Sequence, residues 1–381
     1  MAEPSTSEPQ LDASAAAPPP ALPGFGASSA CWKCKGAGTR LKPKMGARQR
    51  KRMAEGAEDD GSCGVCGGSG VAPRSGKLSK AAKKPGRVTA PRSEASTRRG
   101  PRPAGVGAPG PGEELCCLSG AWRVFQRVGG HRYSTEDVVT AWVASGEVAG
   151  RVRHVDVGCG IGSVLQLVAW KCLEAGVDYE GRGVEAQVDS ANLARRSIAY
   201  NGAPCAVVDG DLRDARAFDE LHEGCEAAQR IVTGTPPYFN VAFDGAGAAS
   251  TNFGAFPNCE QSAGARYEFR GGVEAYCAAG ARLLRGGAPG DRFVCCEGGL
   301  HVNLARVAAA AKAAGLVILR HLPVVGREGK PPLFGVWVLR LAAPGDDADA
   351  AVAPDAPLVV RDAQGARTPA YARVLADLAM V

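Results

Sequence analysis

The residues from Val152 to Ser163 carry the most specific chemical pattern in this chain of 381 residues. A short β-branched run predicts a buried strand, and Gly158, Gly160 and Gly162 follow it at alternate positions before an apolar helical pattern begins. Such a unit brings backbone N–H groups and a helix N-terminus close to a polar or anionic ligand, because glycine has no Cβ in the way. The acid Asp156 precedes the first glycine and completes the motif Asp-x-Gly-x-Gly-x-Gly.

Three further apolar runs end in polar residues or in a loop. Glu185 closes the second run, Asp211 follows the third, and the fourth leads into a Thr-Pro-Pro-Tyr loop that begins at Thr235. Open α/β sheets bind their ligands at the carboxyl ends of the strands. We therefore expect these side chains to surround one ligand site beside the glycine turn.

The glycine motif and the ordered acids resemble class I S-adenosylmethionine-dependent methyltransferases. The resemblance implies an α/β fold, with a Rossmann-like seven-stranded sheet and helices on both faces, over residues 113–342. It implies S-adenosyl-L-methionine as cofactor, with Glu185 on the ribose hydroxyls and Asp211 near the adenine amino group. The cofactor-binding residues that it implies are Arg132, Asp156, Gly158, Gly160, Gly162, Glu185 and Asp211.

The loop from Thr235 to Tyr238 resembles the Asn-Pro-Pro-Tyr signature of methyltransferases that act on exocyclic or amide nitrogens. In that family the asparagine side chain and the first proline carbonyl accept hydrogen bonds from the target amine, and the tyrosine stacks on the planar acceptor. The resemblance implies catalytic roles for Thr235, Pro236, Pro237 and Tyr238. This sequence departs from the signature at Thr235, whose hydroxyl is shorter than the asparagine amide.

The segment from Trp122 to Trp142 is similar to the entry segment of bacterial tRNA(Val) (adenine-N6)-methyltransferases, which covers the cofactor and substrate mouth. The matching positions are Gln126, Gly130, Arg132, Tyr133, Ser134 and Asp137. His131 stands where that family has an aromatic residue; a place near the site is open, and we favour a surface histidine. The resemblance implies methyl transfer to an exocyclic adenine amine (N6) in RNA, with tRNA as the expected substrate.

Two other functions remain open at this point. The change at Thr235 is compatible with a protein or small-molecule amine or amide as the acceptor. A second alternative is a non-catalytic RNA-binding or assembly factor built on a methyltransferase fold.

The first 112 residues have a different composition, with 19 Lys and Arg against 8 Asp and Glu and with abundant Pro, Gly, Ser and Ala. A segment of this composition has too few apolar residues to form a core, so we expect most of it to be disordered. Its excess of positive charge favours RNA as a partner. The predicted segments are a disordered start (1–30), a cysteine motif pair (31–70), a basic Pro/Gly-rich linker (71–112), the methyltransferase domain (113–342), and an acidic linker with a short helix (343–381).

Two Cys-x-x-Cys-x-Gly-x-Gly motifs lie in this basic region, and they resemble the cysteine-rich repeat of J-domain chaperones. Paired motifs of this kind place four thiolates around one centre. We therefore predict one structural Zn²⁺ site, and a protein partner for this motif is left open. The predicted ligands are Cys31, Cys34, Cys63 and Cys66.

The remaining cysteines are scattered through apolar runs, which indicates buried core residues in a reducing, intracellular compartment. Cytoplasm or nucleus is favoured, and an organelle is left open. No apolar stretch approaches the length of a membrane span, so no membrane association is expected.

Late in the methyltransferase domain, the residue pattern predicts a helix over 267–284.

Overall fold

The computed structural model describes residues 106–214, 228–243, 249–251, 256–257, 259–298, 304–347 and 350–380. The predicted segments 1–30 and 31–70 lie outside these residues, as does most of 71–112.

Within the described residues, the chain forms twelve strands and seven helices. The strands are β1 (Glu113–Cys117), β2 (Arg123–Arg127), β3 (Val152–Val157), β4 (Tyr179–Glu185), β5 (Cys205–Asp209), β6 (Gln229–Gly234), β7 (Ala242–Phe243), β8 (Ala249–Ser250), β9 (Arg292–Gly298), β10 (Leu316–Val325), β11 (Phe334–Leu341) and β12 (Leu358–Val359). The helices are α1 (Thr135–Gly146), α2 (Ser163–Glu174), α3 (Val188–Asn201), α4 (Glu260–Arg266), α5 (Val273–Leu284), α6 (Leu304–Ala313) and α7 (Pro369–Asp377).

Eight of the strands form one sheet in the order β12-β10-β11-β9-β6-β3-β4-β5. The strands from β9 to β5 are parallel, and β11 is antiparallel to both of its neighbours. The first strand of this sheet along the sequence is β3; the chain then moves outward through β4 and β5 and returns to β6 on the other side of β3. The order therefore reverses between β3 and β6, where open α/β sheets bind ligands.

The predicted Rossmann-like sheet of seven strands with helices on both faces is confirmed, with one addition. The short strand β12 pairs in parallel with β10 and extends the sheet to eight strands. None of the helices in the described ranges is long and apolar enough to cross a bilayer.

Alternation of side chains along β9 explains why both faces of the sheet are covered. Phe293 and Cys295 are buried in the cluster that contains α5 and α6, whereas Val294 and Cys296 are buried with α1 and α2 on the opposite face. Successive side chains of a strand point to opposite faces, so a strand buried on both sides reads as one continuous apolar run.

The hairpin of β1 and β2 is fastened to α3 by polar side chains of the helix. The backbone N–H of Phe125 donates to Ser197 Oγ at 2.9 Å, and that of Arg123 donates to Asn201 Oδ1 at 2.8 Å. These bonds give the exposed side of β2 hydrogen-bond partners without another strand. They also fix the start of the segment that leads from β2 to α1 across the carboxyl edge of the sheet.

The C-terminal residues pack against the first part of the described chain. Ser119 Oγ donates to the carbonyl of Leu378 at 2.5 Å, and Trp142 Nε1 donates to Asp377 Oδ2 at 3.0 Å. Helix α7 begins after Thr368, whose hydroxyl caps the helix by accepting from the Tyr371 N–H at 3.1 Å. The short helix expected near the C-terminus is therefore present.

The helix predicted over 267–284 is wrong in its first part. Tyr267 instead forms a bridge with Phe239, and Gly271 adopts a φ of 97° before α5 begins at Val273. The chain therefore turns between α4 and α5 and brings the end of α4 over the sheet edge.

Gly280 allows α5 to lie close to the sheet, because a Cβ at this position would be 2.7 Å from Phe293 Cγ. We expect Gly280→Ala to add about 1–3 kcal/mol of overpacking strain, more than the roughly 1 kcal/mol that alanine gains over glycine in a helix. Gly146→Ala is the matched control, since a Cβ there would meet no atom within 4 Å. Urea unfolding of both variants measures the difference; equal unfolding midpoints would contradict close packing of α5.

Candidate active site

Two adjoining cavities lie at the carboxyl edge of the sheet, where the strand order reverses. We call the first the glycine cavity; its lining includes Gly158, Gly160, Glu185, Asp211, Arg270 and Tyr276. We call the second the loop cavity; its lining includes Arg132, Glu136, Pro236, Tyr238, Phe239 and Arg266. Five residues line both cavities and form a shared wall: His131, Asp137, Thr235, Pro237 and Ala265.

The glycine turn brings bare backbone to the first cavity. Gly158 has a φ of 66°, and a Cβ there would lie 2.2 Å from the hydroxyl oxygen of Tyr276, so only glycine fits. A Cβ at Gly160 would meet no atom of the described residues within 4 Å, so their side chains leave the space beside its backbone open. A ligand can therefore approach the main chain closely at this turn.

Glu185, at the end of β4, faces this turn with its carboxylate. Its Oε2 accepts from the Gly160 N–H at 2.8 Å, and its Oε1 accepts from the Gln187 N–H at 2.7 Å. Burial raises the pKa of Glu185, and the two N–H groups oppose that rise. Each oxygen retains acceptor capacity, so the carboxylate can bind two further hydroxyl groups of a ligand.

Asp211, which follows β5, also lines the glycine cavity. Burial disfavours its charge, but hydrogen bonds from the Arg213 side chain and backbone, with the charges of Arg213 and Arg270, lower the pKa of Asp211. The Arg213 guanidinium binds both carboxylate oxygens, at 2.9 and 2.8 Å. Asp211 is thus an ionised acceptor at physiological pH.

Asp156 belongs to the motif but lines neither cavity, because it lies buried below the turn. Its Oδ1 accepts from Thr233 Oγ1 at 2.7 Å, and Thr233 Oγ1 lies 2.7 Å from His154 Nε2, whose other ring nitrogen is 2.8 Å from the Tyr179 hydroxyl. Among the described residues, no group hydrogen-bonds to its Oδ2. Burial raises the pKa of Asp156 to about 7 and lowers that of His154 to about 3.

The shared wall is held in place by Asp137, in the first turn of α1. Asp137 Oδ1 accepts from Ser163 Oγ at 2.5 Å, and Asp137 Oδ2 accepts from the Ser134 backbone N–H at 2.9 Å. One carboxylate thereby connects the first turn of α2 to the entry segment before α1.

The Thr-Pro-Pro-Tyr loop leaves β6 at Gly234 and passes between the two cavities. Thr235 and Pro237 are part of the shared wall, and Tyr238 lines the loop cavity alone. The Tyr238 hydroxyl donates to Cys296 Sγ at 3.1 Å, and burial raises the pKa of Tyr238 well above its ordinary value. The phenol is thus anchored in the sheet while the ring borders the cavity.

Besides Asp156, two further residues of the predicted cofactor set lie outside the glycine cavity. Arg132 is exposed, lines only the loop cavity, forms an ion pair with Glu114, and donates to Cys116 Sγ at 3.3 Å. Gly162 is the N-cap residue of α2, with a φ of 76°, and lines neither cavity. The remaining predicted residues, Gly158, Gly160, Glu185 and Asp211, meet in the glycine cavity.

His131 was expected at the surface, but it is partly buried and lines both cavities. Tyr276 and Arg270 also line the glycine cavity, and no sequence pattern predicted them there. Both depend on where the α4–α5 turn places α5, which no local pattern gives. His131 did carry a signal, since it departs from the aromatic residue of the similar family within a matching segment.

The predicted zinc ligands, Cys31, Cys34, Cys63 and Cys66, lie outside the described residues, so the zinc site stays a prediction. Within the ranges that are described, no group of three or more His, Cys, Asp or Glu side chains is arranged to hold a metal ion.

Comparison with known proteins gives structural similarity only. No protein-family model matches the chain, and no curated protein matches it with statistical significance. A predicted O-methyltransferase of Agrobacterium tumefaciens is 17% identical, with 63% of this chain and 97% of that chain covered and a TM-score of 0.42. A Listeria monocytogenes protein, provisionally assigned as a class I S-adenosylmethionine-dependent methyltransferase, is 14% identical, with coverages of 67% and 72% and a TM-score of 0.40.

The tRNA (uracil-54, C5)-methyltransferase of Pyrococcus abyssi is 13% identical, with 60% of this chain and 44% of that chain covered and a TM-score of 0.36. The fold assignment therefore rests on the strand order of the sheet itself.

The buried Asp156 carboxyl should make stability depend on pH. Its pKa is about 7 in the folded protein against an ordinary value of 3.8, so its stabilising contribution is present below pH 3.8 and is lost as the pH rises through about 7. Asp156→Asn keeps the acceptor for Thr233 but does not ionise. We expect the variant to become more stable relative to the wild type as the pH rises from 5 to about 7, measured by urea unfolding. Parallel pH profiles would show that Asp156 stays ionised throughout.

Proposed function

We propose that this protein is an S-adenosyl-L-methionine-dependent methyltransferase that acts on an exocyclic adenine amine (N6) in RNA, with tRNA as the substrate class. The observation that carries the proposal is the shared wall. A glycine-lined cavity with two acids opens next to a cavity bordered by the Thr-Pro-Pro-Tyr loop, and Thr235 and Pro237 face both. A cofactor in the first cavity and a planar acceptor in the second would therefore be adjacent.

The residues of the glycine cavity fit the proposed cofactor. The open backbone at Gly160 suits close approach of its amino-acid portion, and the Glu185 carboxylate has acceptor capacity for two ribose hydroxyls. Asp211 is an acceptor that suits an adenine amino group. When bound, S-adenosyl-L-methionine supplies an electrophilic methyl group on a sulfonium centre.

The residues of the loop cavity would orient the amine. An adenine N6 lone pair is delocalised into the ring, so acceptors that hold the amine hydrogens raise its nucleophilicity. The Thr235 hydroxyl and the Pro236 carbonyl are the proposed acceptors, and the Tyr238 ring is the proposed stacking surface. Flipping a base into such a cavity costs least for an unpaired loop nucleotide, which favours single-stranded regions of RNA.

Charge supports RNA as the partner. The stretch from residue 40 to residue 102 contains 17 Lys and Arg against 5 Asp and Glu. Phosphate contacts from such a stretch give affinity that does not depend on sequence. At the rim of the loop cavity, the Arg266 guanidinium lies 5.5 Å from the centre of the Phe239 ring, and Arg132 is exposed beside it.

Glu185→Gln tests the glycine cavity. The amide replaces one charged acceptor by a donor, so we expect the Kd for S-adenosylhomocysteine, measured by calorimetry, to rise by about 10- to 100-fold, the equivalent of roughly 1.5–3 kcal/mol for a hydrogen bond to a charged group. Glu180→Gln is the control, since Glu180 lies at the other end of β4 and pairs with Arg153 and Arg182. An unchanged Kd for Glu185→Gln would remove the ribose assignment.

Tyr238 tests the loop cavity. Base stacking on an aromatic side chain contributes about 1–3 kcal/mol, so we expect Tyr238→Ala to lower kcat/KM for RNA by roughly 10- to 100-fold. Tyr238→Phe keeps the ring and should stay close to the wild type, although it loses the bond to Cys296. Both variants should retain the affinity for S-adenosylhomocysteine. Equal loss of activity in both would assign Tyr238 a structural role.

The proposed function itself is tested with tritiated S-adenosylmethionine, the full-length protein and total RNA, followed by nucleoside chromatography. We expect counts in N6-methyladenosine. Counts in another nucleoside would keep the enzyme and overturn the amine chemistry. Counts in a protein extract but not in RNA would favour a protein amine or amide as acceptor, and cofactor binding without any transfer would favour a non-catalytic RNA-binding factor.

A further inference from the structure

The shared wall contains two polar side chains that are free to contact a substrate. Among the described residues, neither the ring of His131 nor the hydroxyl of Thr235 has a hydrogen-bond partner. Both oxygens of Asp137, the third polar residue of this wall, accept bonds from Ser163 and Ser134. Pro237 and Ala265 have no polar side-chain atoms. His131 and Thr235 are therefore the side chains of this wall whose acceptor atoms are not already used within the described residues.

These two residues also depart from the patterns that the sequence resembles: Thr235 from the Asn-Pro-Pro-Tyr signature, and His131 from the entry segment of the tRNA methyltransferases. Thr235 replaces an asparagine, and His131 replaces an aromatic residue. They are 104 positions apart in the sequence, yet the structure places both on one wall. The loss of one hydrogen-bond acceptor is thus accompanied by the gain of another beside the same space.

The surroundings of His131 favour a neutral imidazole. Its backbone N–H is fixed by Gln261 Oε1 at 2.7 Å. Burial lowers the pKa of His131; Asp137 and Glu136 of α1 oppose this effect, and Arg266 of α4 adds to it. The ring therefore carries one nitrogen with a free lone pair at neutral pH, which can accept a hydrogen bond and then a proton.

We propose that His131 and Thr235 together take the place of the asparagine, and that His131 also receives the proton released by the reaction. This inference rests on the proposed function. The Pro236 carbonyl accepts one amine hydrogen, and the Thr235 hydroxyl and one His131 ring nitrogen share the other, which the asparagine would have held. As the new N–C bond forms, the S–C bond breaks and its electron pair stays on sulfur. The amine proton passes to the His131 nitrogen, and the imidazolium then releases it to water.

The kinetic test uses His131→Phe, which restores an aromatic residue, and His131→Gln, which keeps an acceptor that cannot take the proton. Acid–base catalysis typically contributes about 10²- to 10⁴-fold, so we expect His131→Phe to lower kcat on RNA by about 100-fold with an unchanged Kd for S-adenosylhomocysteine. The wild-type kcat should fall as the pH drops below the ordinary histidine pKa of 6.5, and both variants should lose this fall. Wild-type kcat and pH profile in His131→Phe would overturn the proposal.

A rescue experiment adds Thr235→Asn to His131→Phe. The asparagine amide supplies the missing acceptor, so we expect the double variant to recover about tenfold in kcat, consistent with roughly 1–1.5 kcal/mol for a restored hydrogen bond. A double variant as slow as His131→Phe would show that the two residues do not share a role.

Nuclear magnetic resonance separates this inference from the proposed function. The ring signals of His131 are assigned among the five histidines by their loss in His131→Phe. Adding adenosine 5′-monophosphate to the protein saturated with S-adenosylhomocysteine should shift them. If the wild type transfers no methyl to RNA, the proposed function fails, and the signals alone then decide the inference: a shift supports contact with the adenine amine, and unmoved signals overturn it.

Discussion

A buried chain of hydrogen bonds across three central strands fixes the place where both cavities open. It runs from Tyr179 of β4 through His154 of β3 and Thr233 of β6 to Asp156. Backbone hydrogen bonds alone would allow one strand to shift in register against the next. Buried polar atoms need specific partners, so these side-chain hydrogen bonds fix the register of β3 against β4 and β6. The strand order reverses between β3 and β6, and this register therefore sets the distance between the glycine turn and the Thr-Pro-Pro-Tyr loop. The Asp156 Oδ2, which has no hydrogen-bond partner in the described part of the chain, is the electrostatic cost of that arrangement.

Most of the sheet could be predicted because strands buried on both faces read as continuous apolar runs. The eighth strand could not, since Leu358–Val359 spans two residues and is held by the backbone of β10, not by a pattern of its own. The helix predicted over 267–284 failed in its first part for a related reason. The bridge between Tyr267 and Phe239 is a long-range pairing, and it overrides the local helical pattern.

Some residues of the candidate site could likewise be predicted from the sequence, and others could not. Glu185 and Thr235 follow strands directly, so the rule for parallel sheets places them at the carboxyl edge without any knowledge of the loops. His131 and Arg132 lie in the connection between β2 and α1, and their positions depend on contacts that only the folded chain provides. Gln261, which binds the His131 N–H, comes from α4, 130 residues later. Sequence patterns therefore find the acids and glycines, whereas the residues that border the acceptor depend on tertiary contacts.

The strand β12 has a consequence for the behaviour of the chain in solution. The backbone of β10 is covered by the C-terminal segment, where the Asp355 N–H donates to His321 O and the Val360 N–H donates to Val325 O, each at 2.8 Å. Without this segment, β10 would present an unpaired row of backbone groups, a template for strand pairing between molecules. Pro323, inside β10, has no N–H and limits that template further. The C-terminal segment thus covers an edge of the sheet through which two molecules could otherwise pair, and this role does not involve ligand binding.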